Sequence, residues 1–132
     1  MVEAIERLKA KLAEYPSVAY KESPGSITVD PEAPSGFRVS LHATSDGCFV
    51  EFDKWHEELD SVDEAIDLFG FGLSNACRLV ITYQGSMASK WLVESLHQDG
   101  RWVPISEMGL LLFPFWLGKR IEYKQNDIIP VR

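Results

Sequence analysis

The chain has 132 residues, 45% of them apolar and 25% charged, which are ordinary values for a folded protein and argue against disorder. The formal net charge of −7 argues against nucleic acid or an anionic membrane surface as a partner. Both need a basic face, and the only basic cluster is Lys119, Arg120 and Lys124. This length predicts one domain, residues 1–132, that is long enough to close a hydrophobic core.

The expected compartment follows from the lack of targeting signals. Residues 1–15 alternate acids and bases instead of forming a signal peptide. The longest apolar run, residues 109–118, is too short to span a bilayer and contains Pro114. Cys48 and Cys77 make no disulfide framework. We therefore expect a cytoplasmic protein.

The first predicted element is a helix over residues 2–14. Its apolar residues recur at spacings of three and four, which places them on one face of a helix. They are Val2, Ile5, Leu8, Leu12 and Tyr15. Pro16 has no backbone N–H to donate, so the helix is expected to stop before it.

The clearest local signal is Asp46-Gly47, a dipeptide that accepts the positive φ angles of a two-residue hairpin turn. It joins predicted strands over residues 37–44 and 48–55, which follow a short strand at residues 26–30. The turn places Leu41 opposite Phe52 on the buried face. On the other face it predicts three pairs, which are Arg38 with Trp55, Ser40 with Asp53, and His42 with Glu51.

A second helix is predicted to begin after Ser61. Ser61 and Glu64 have the spacing of a capping box, in which each side chain bonds to the backbone N–H of the other residue. Gly70 and Gly72 predict the end of this helix or a loosened turn.

The remaining chain predicts strands at residues 77–84, 91–97, 101–105 and 121–123. Pro104 limits the third of these to a sheet edge or a bulge. The Asp99-Gly100 turn sets His97 opposite Trp102. Two assignments complete the chain, namely a strand or a loop at residues 110–117 and a tail from Asn126 onward.

The order of these elements is helix, three strands, helix, then three or four strands. It predicts an α+β fold, with an antiparallel β-sheet of about five to seven strands and two helices, N-terminal and central, packed on one face.

Negative charge is concentrated between residues 51 and 67, where eight carboxylates stand against Lys54 for a local charge of −7. The rest of the chain is balanced, with twelve acids and twelve bases. The simpler interpretation is a solvated helix start whose acids complement the helix dipole. The functional interpretation is a contact surface for a basic partner protein. Its candidate residues are Glu51, Asp53, Glu57, Glu58, Asp60, Asp63 and Glu64.

Catalytic and metal sites have weaker signals. His56-Glu57 begins like the HExxH zinc motif, but Asp60 stands where the second histidine would be, so no metal or other cofactor is expected. Cys48 and Cys77 are better explained as small buried hydrophobic residues than as nucleophiles, so no catalytic residue is assigned.

We interpret the protein as an interaction module of the adaptor, inhibitor or immunity type that acts through the acidic stretch. The alternative is a small-molecule-binding protein or enzyme that uses a mixed polar and aromatic sheet face. The residues of that face are Arg38, His42, Glu51 and Trp55. The sequence does not decide whether the protein catalyses a reaction. A third hypothesis is a homodimer formed through the aromatic stretch of residues 110–117.

Overall fold

The computed structural model describes residues 2–112 and 114–130, with Val2 described by its backbone alone. Over these residues the chain forms two helices and nine strands. In order they are α1 (Val2–Leu12), β1 (Lys21–Ser23), β2 (Ser26–Val29), β3 (Val39–Ala43), β4 (Cys48–Phe52), β5 (Trp55–Leu59), α2 (Val62–Leu73), β6 (Cys77–Gln84), β7 (Met87–Leu96), β8 (Trp102–Gly109) and β9 (Lys119–Lys124).

The strands form two antiparallel sheets, one of five strands in the order β1-β2-β3-β4-β5 and one of four in the order β8-β7-β6-β9. Both helices contact β3 of the five-stranded sheet, and α2 also contacts β4, β5 and β6. The predicted α+β class, with antiparallel strands and two packed helices, is confirmed. The strands are divided between two sheets, which meet where β5 contacts β8.

One hydrophobic core joins the helices to both sheets. Every second residue of a strand faces the same side, and the apolar residues of β2, β3 and β4 alternate accordingly toward the helices. Each large apolar side chain that is fully buried contributes roughly 1.5–3 kcal/mol of transfer free energy. The largest members are Trp55, Trp91, Phe52, Phe69, Leu8 and Ile27.

The turn between β3 and β4 is longer than predicted. It comprises residues 44–47, with Thr44 N donating to Gly47 O at 2.9 Å and Gly47 N donating to Thr44 Oγ1 at 3.0 Å. The predicted two-residue turn is therefore wrong, and the strand register differs from the prediction by two residues. Leu41 faces Val50, not Phe52. A shift of two residues preserves which side chains face the core, so the predicted buried face is right.

The predicted strand over residues 48–55 ends at Phe52, because the chain reverses at Asp53 and Lys54. Trp55 begins β5 and faces Phe52 from the neighbouring strand. The predicted pair of Arg38 with Trp55 is therefore wrong.

The other two predicted cross-strand pairs also change. Ser40 faces Glu51 instead of Asp53, and His42 faces Phe49. The side chains of His42 and Glu51 nevertheless meet diagonally across the two strands, with Nε2 and Oε1 2.8 Å apart.

Helix α2 begins as predicted and ends later than predicted. Ser61 Oγ accepts a hydrogen bond from Glu64 N at 3.2 Å, which is one half of the predicted capping box. The other half, from Ser61 N to the Glu64 side chain, is not among the hydrogen bonds of the described residues. The helix continues through Gly70 and Gly72 to Leu73, so the predicted end at these glycines is wrong. Gly72 lies against the Phe52 ring, where a Cβ atom would be 2.7 Å from Phe52 Cζ.

In the four-stranded sheet, Leu96 faces Trp102, and residues 97–101 form the connection. The predicted pairing of His97 with Trp102 is therefore wrong by one residue. Pro104 lies on the edge strand β8 beside a register shift, as its missing N–H predicts.

The segment after β9 is not a tail. Asn126 is buried, and its side chain bonds with both backbone groups of Phe37 and with the carbonyl of Gly72. Ile128 N donates to Leu73 O at 2.9 Å. The predicted tail from Asn126 onward is therefore wrong up to residue 130, where the described residues end.

Candidate functional site

The acidic stretch does not form one continuous surface, because three of its carboxylates are bonded within the protein. Glu51 contacts His42, as described above. Asp53 Oδ2 accepts a hydrogen bond from Trp91 Nε1 at 2.9 Å, and Asp63 pairs with Arg7 of α1. These three acids serve internal contacts.

Five acids remain, and together they are called the acidic surface here. All five are exposed, and none forms an ion pair with another residue in the described part of the chain. They are Glu57, Glu58, Asp60, Glu64 and Asp67.

The acidic surface spans two neighbouring elements. Glu57 and Glu58 lie on β5, the edge strand of the five-stranded sheet, and Glu64 and Asp67 lie on α2, which contacts β5. Strand alternation places Glu57 on the helix side of the sheet and Glu58 on the opposite side. The charge therefore surrounds the outer edge of β5 and continues onto α2.

The sheet face opposite the helices carries the His42–Glu51 pair. The His42 ring stacks on Phe49 with centroids 4.6 Å apart, and the His56 ring meets the edge of Phe49 at 6.1 Å. His56 is also the direct cross-strand neighbour of Glu51. The structure thus groups two imidazoles with a carboxylate around one aromatic ring.

Two of the four predicted ligand-binding residues lie outside this group. Arg38 bonds through Nε to Asp30 Oδ1 at 3.1 Å. Trp55 is 2% exposed and donates from Nε1 to Ser106 Oγ at 3.0 Å. Among the described residues, no three His, Cys, Asp or Glu side chains are arranged to hold a metal ion.

The two cysteines are free and buried. Burial raises the pKa of both the Cys48 and the Cys77 thiols, which lowers the fraction of reactive thiolate at neutral pH. Cys48 Sγ contacts the carbonyl of Leu59 at 3.8 Å. Both residues have the environment of packing residues.

A cavity of about 340 Å³ lies between α1, α2 and the segment that follows β9. His42 is not among the residues that line it. Sequence reasoning missed this cavity, because its walls come from parts of the chain more than 50 residues apart. The apolar side chains lining it include Leu8, Leu12, Ile66, Phe69, Leu73 and Ile129.

The described residues of this segment, 110–112 and 114–117, belong to a loop between β8 and β9 and not to a strand, which decides for them the alternative that the sequence left open. Leu110 N donates to Ser89 O, and the Leu117 side chain lies over Gly85 at the turn between β6 and β7. Phe113 of the predicted aromatic stretch lies outside the described residues. Four apolar side chains of the loop are largely exposed, namely Leu111 (98%), Leu112 (87%), Phe115 (73%) and Trp116 (72%).

Comparison with protein-family models, with curated proteins and with solved structures found no match for this chain. Within the described part of the chain, neither helix has the length and apolar character needed to cross a membrane.

Proposed function

We propose that the protein is an interaction module that binds a basic partner protein through the acidic surface. The observation that supports this proposal is the absence of internal ion pairs for its five carboxylates among the described residues. Elsewhere the charges are mostly paired, as for Asp30 with Lys21 and Glu94 with Arg78. The acidic surface thus brings together five carboxylates whose charge is left for another molecule.

Folding holds these like-charged side chains near one another, and their repulsion lowers the stability of the folded protein. A basic partner removes this repulsion on binding. Its association is steered by the field of the surface and weakens as salt shortens the Debye length to about 8 Å at physiological ionic strength.

Charged side chains on an exposed edge strand also prevent sheet-to-sheet aggregation, which is a structural explanation for Glu57 and Glu58 on β5. That explanation does not extend to Asp67, which lies on the second turn of α2. The negative charge therefore continues beyond the strand edge that it would protect.

The test is capture of partners from the native lysate by immobilised protein, with Glu57, Glu58 and Asp60 all changed to Lys in the test variant. The control variant carries Lys at Glu6, Glu32 and Asp127, three exposed acids elsewhere, and has the same net charge. We expect the wild type and the control to capture a basic protein that the test variant does not capture. Capture by the wild type should decrease as salt is added. Equal capture by all three proteins would contradict the proposal.

A second candidate function is self-association through the loop of residues 110–117. Four exposed apolar side chains on one short loop favour it, since monomeric proteins rarely expose contiguous apolar patches of this kind. Sedimentation of the wild type and of a Leu112→Ser, Trp116→Ser variant distinguishes the states. A wild-type dimer that the variant abolishes supports this function, and a monomer at high concentration removes it.

The alternative proposal is that the sheet face around His42 binds a small molecule or carries out acid–base chemistry. It is supported by the 2.8 Å contact of His42 with Glu51 beside an aromatic ring. Its test is a screen of small ligands read by the ring signals of His42 and His56, with the His42→Ala variant as control.

A cytoplasmic location is part of the proposal, because both cysteines are free thiols, as expected in a reducing compartment. Fractionation of cells that express a tagged full-length chain tests it, and recovery with the secreted or membrane fractions would contradict it.

A further inference from the structure

The cavity between the two helices lies beside the acidic surface. Its wall is mostly apolar, and the charged residues among the described ones that line it are Lys11 and Asp67. Asp67 is itself a member of the acidic surface, so the same carboxylate belongs both to the charged region and to the apolar cavity.

The two charged residues at the cavity differ in whether they have an ion-pair partner. Lys11 is paired with Glu14, with Nζ and Oε1 3.7 Å apart. Asp67 forms no ion pair with any residue of the described chain. An occupant that complements this site therefore has an apolar group for the interior and a cation for Asp67.

The concave surface extends beyond the cavity along the groove between α1 and α2. A second depression of about 330 Å³ shares Lys11, Ile66 and Asp67 with it and continues to Arg7 and Asp63. This continuity favours an extended chain segment over a compact small molecule, because a segment can fill the cavity with one side chain and follow the groove with its flanking residues.

We propose that the cavity is the anchor site for the basic partner: it receives an apolar side chain of the partner, flanked by a lysine or arginine that pairs with Asp67. This inference rests on the proposed function and specifies the partner's chemistry. A few side chains buried in well-packed, desolvated pockets usually carry most of the binding energy of a protein interface.

Three short peptides test the inference directly. They are acetyl-Lys-Leu-Lys-amide, acetyl-Lys-Ser-Lys-amide, which lacks the apolar anchor, and acetyl-Glu-Leu-Glu-amide, which reverses the charge. Binding is followed by amide chemical shifts in the full-length protein. We expect the Lys-Leu-Lys peptide to shift the amides of Ile66, Gly70 and Ile129, and the Lys-Ser-Lys peptide to bind about tenfold more weakly, the scale of burying one leucine side chain.

Variants separate the roles of the cavity and of the charge. Gly70 lines the cavity, and among the described residues a Cβ atom there would meet only Ile129 Cδ1, at 3.7 Å. Gly70→Leu therefore fills the space and should abolish the localised shifts. If Gly70→Leu fails to fold, Gly70→Ala replaces it in the test. This variant adds one methyl group and should weaken the localised shifts. Asp67→Asn should weaken binding about two- to fivefold, the scale of one exposed ion pair, whereas Glu32→Gln, the same charge change at an exposed acid outside the acidic surface, should not.

Three results would overturn the inference. They are equal binding of the Lys-Leu-Lys and Glu-Leu-Glu peptides, no localised shifts up to the solubility limit, and binding unaffected by Gly70→Leu. A fourth result would assign the cavity to Val131 and Arg132 of the same chain. It is a chain shortened to end at Pro130 that binds the Lys-Leu-Lys peptide at least tenfold more tightly than the full-length protein does. Failure of the anchor leaves the proposed function standing if the Glu57, Glu58 and Asp60 reversal still abolishes capture, so the two failures are distinguishable.

Discussion

Gly72 of α2 lies directly against the ring of Phe52 in β4, with no room between them for another atom. A Cβ atom at position 72 would overlap Phe52 Cε1 and lie 2.7 Å from Cζ. Phe52 is fully buried and contacts Phe37 and Trp55, so the ring has neighbours that restrict its movement. The missing side chain of Gly72 is what allows α2 to approach the five-stranded sheet so closely.

Gly72→Ala should destabilise the protein by about 2 kcal/mol, because overpacking of a filled core outweighs the gain of about 1 kcal/mol in helix propensity. The matched control is Gly70→Ala two residues earlier, where the added methyl group makes one ordinary contact within the described part of the chain, with Ile129. That variant should be more stable than the wild type by about 0.5–1 kcal/mol. Urea unfolding measures both, and two changes of the same sign would contradict the packing argument.

Asn126→Ala should destabilise the protein by about 2–4 kcal/mol, because it leaves Phe37 N and two buried carbonyls without their partner. Gln125→Ala is the control. Gln125 donates a comparable bond to Asn75 O, but at the surface, where water replaces it, so its loss should cost less than about 1 kcal/mol. Chemical denaturation that finds the two variants equally stable would show that the segment after β9 is not a structural element.

Asp53 combines a positive φ of 57° with the hydrogen bond from Trp91. Asp53→Ala should destabilise the protein by about 2 kcal/mol, since alanine is strained at this φ and accepts no bond. Asp53→Asn should change stability by less than about 1 kcal/mol, because asparagine tolerates this conformation and keeps an acceptor oxygen. The Trp91 indole N–H resonance should move strongly only in the alanine variant. Equal shifts in both variants would show that the bond does not depend on the acceptor.

Acid should destabilise the protein partly through Asp30. Hydrogen bonds from Lys21 and then Arg38 lower the pKa of Asp30 below its usual 3.8. A carboxyl whose pKa is lower in the folded state adds stability above its unfolded pKa, and this stability is lost as the pH falls through the folded pKa. Asp30→Asn should therefore reduce the loss of stability below about pH 4 relative to wild type. Parallel curves of unfolding free energy against pH for the two proteins would contradict this assignment.

Much of the fold could be predicted because its signals are local. The spacing of Ser61 and Glu64 marked the start of α2, and Pro104 marked an edge strand with a bulge. The register of the first hairpin could not be predicted, since the four-residue turn depends on Gly47 packing against the carbonyl of Leu59 in another strand. The reversal at Asp53 likewise has no glycine to announce it and depends on Trp91, which lies 38 residues away.

The candidate site was predictable in composition but not in arrangement. Charge counting identified the acidic stretch, yet pairing of Asp63 with Arg7 depends on how the two helices pack. The same packing forms the cavity beside Asp67. Asn126 was predicted to be in a tail, whereas its side chain bonds to Phe37 and Gly72, which lie 89 and 54 residues away in the sequence.

The central claim is that the acidic surface is the preferred binding site for positive charge. Titration of the isotope-labelled full-length protein with acetyl-tetralysine-amide at low salt tests it most directly, read by amide chemical shifts. We predict the largest shifts at Glu57, Glu58, Asp60, Glu64 and Asp67, and their loss at high salt. Shifts spread evenly over the other exposed acids, such as Glu6 and Glu32, would contradict the claim.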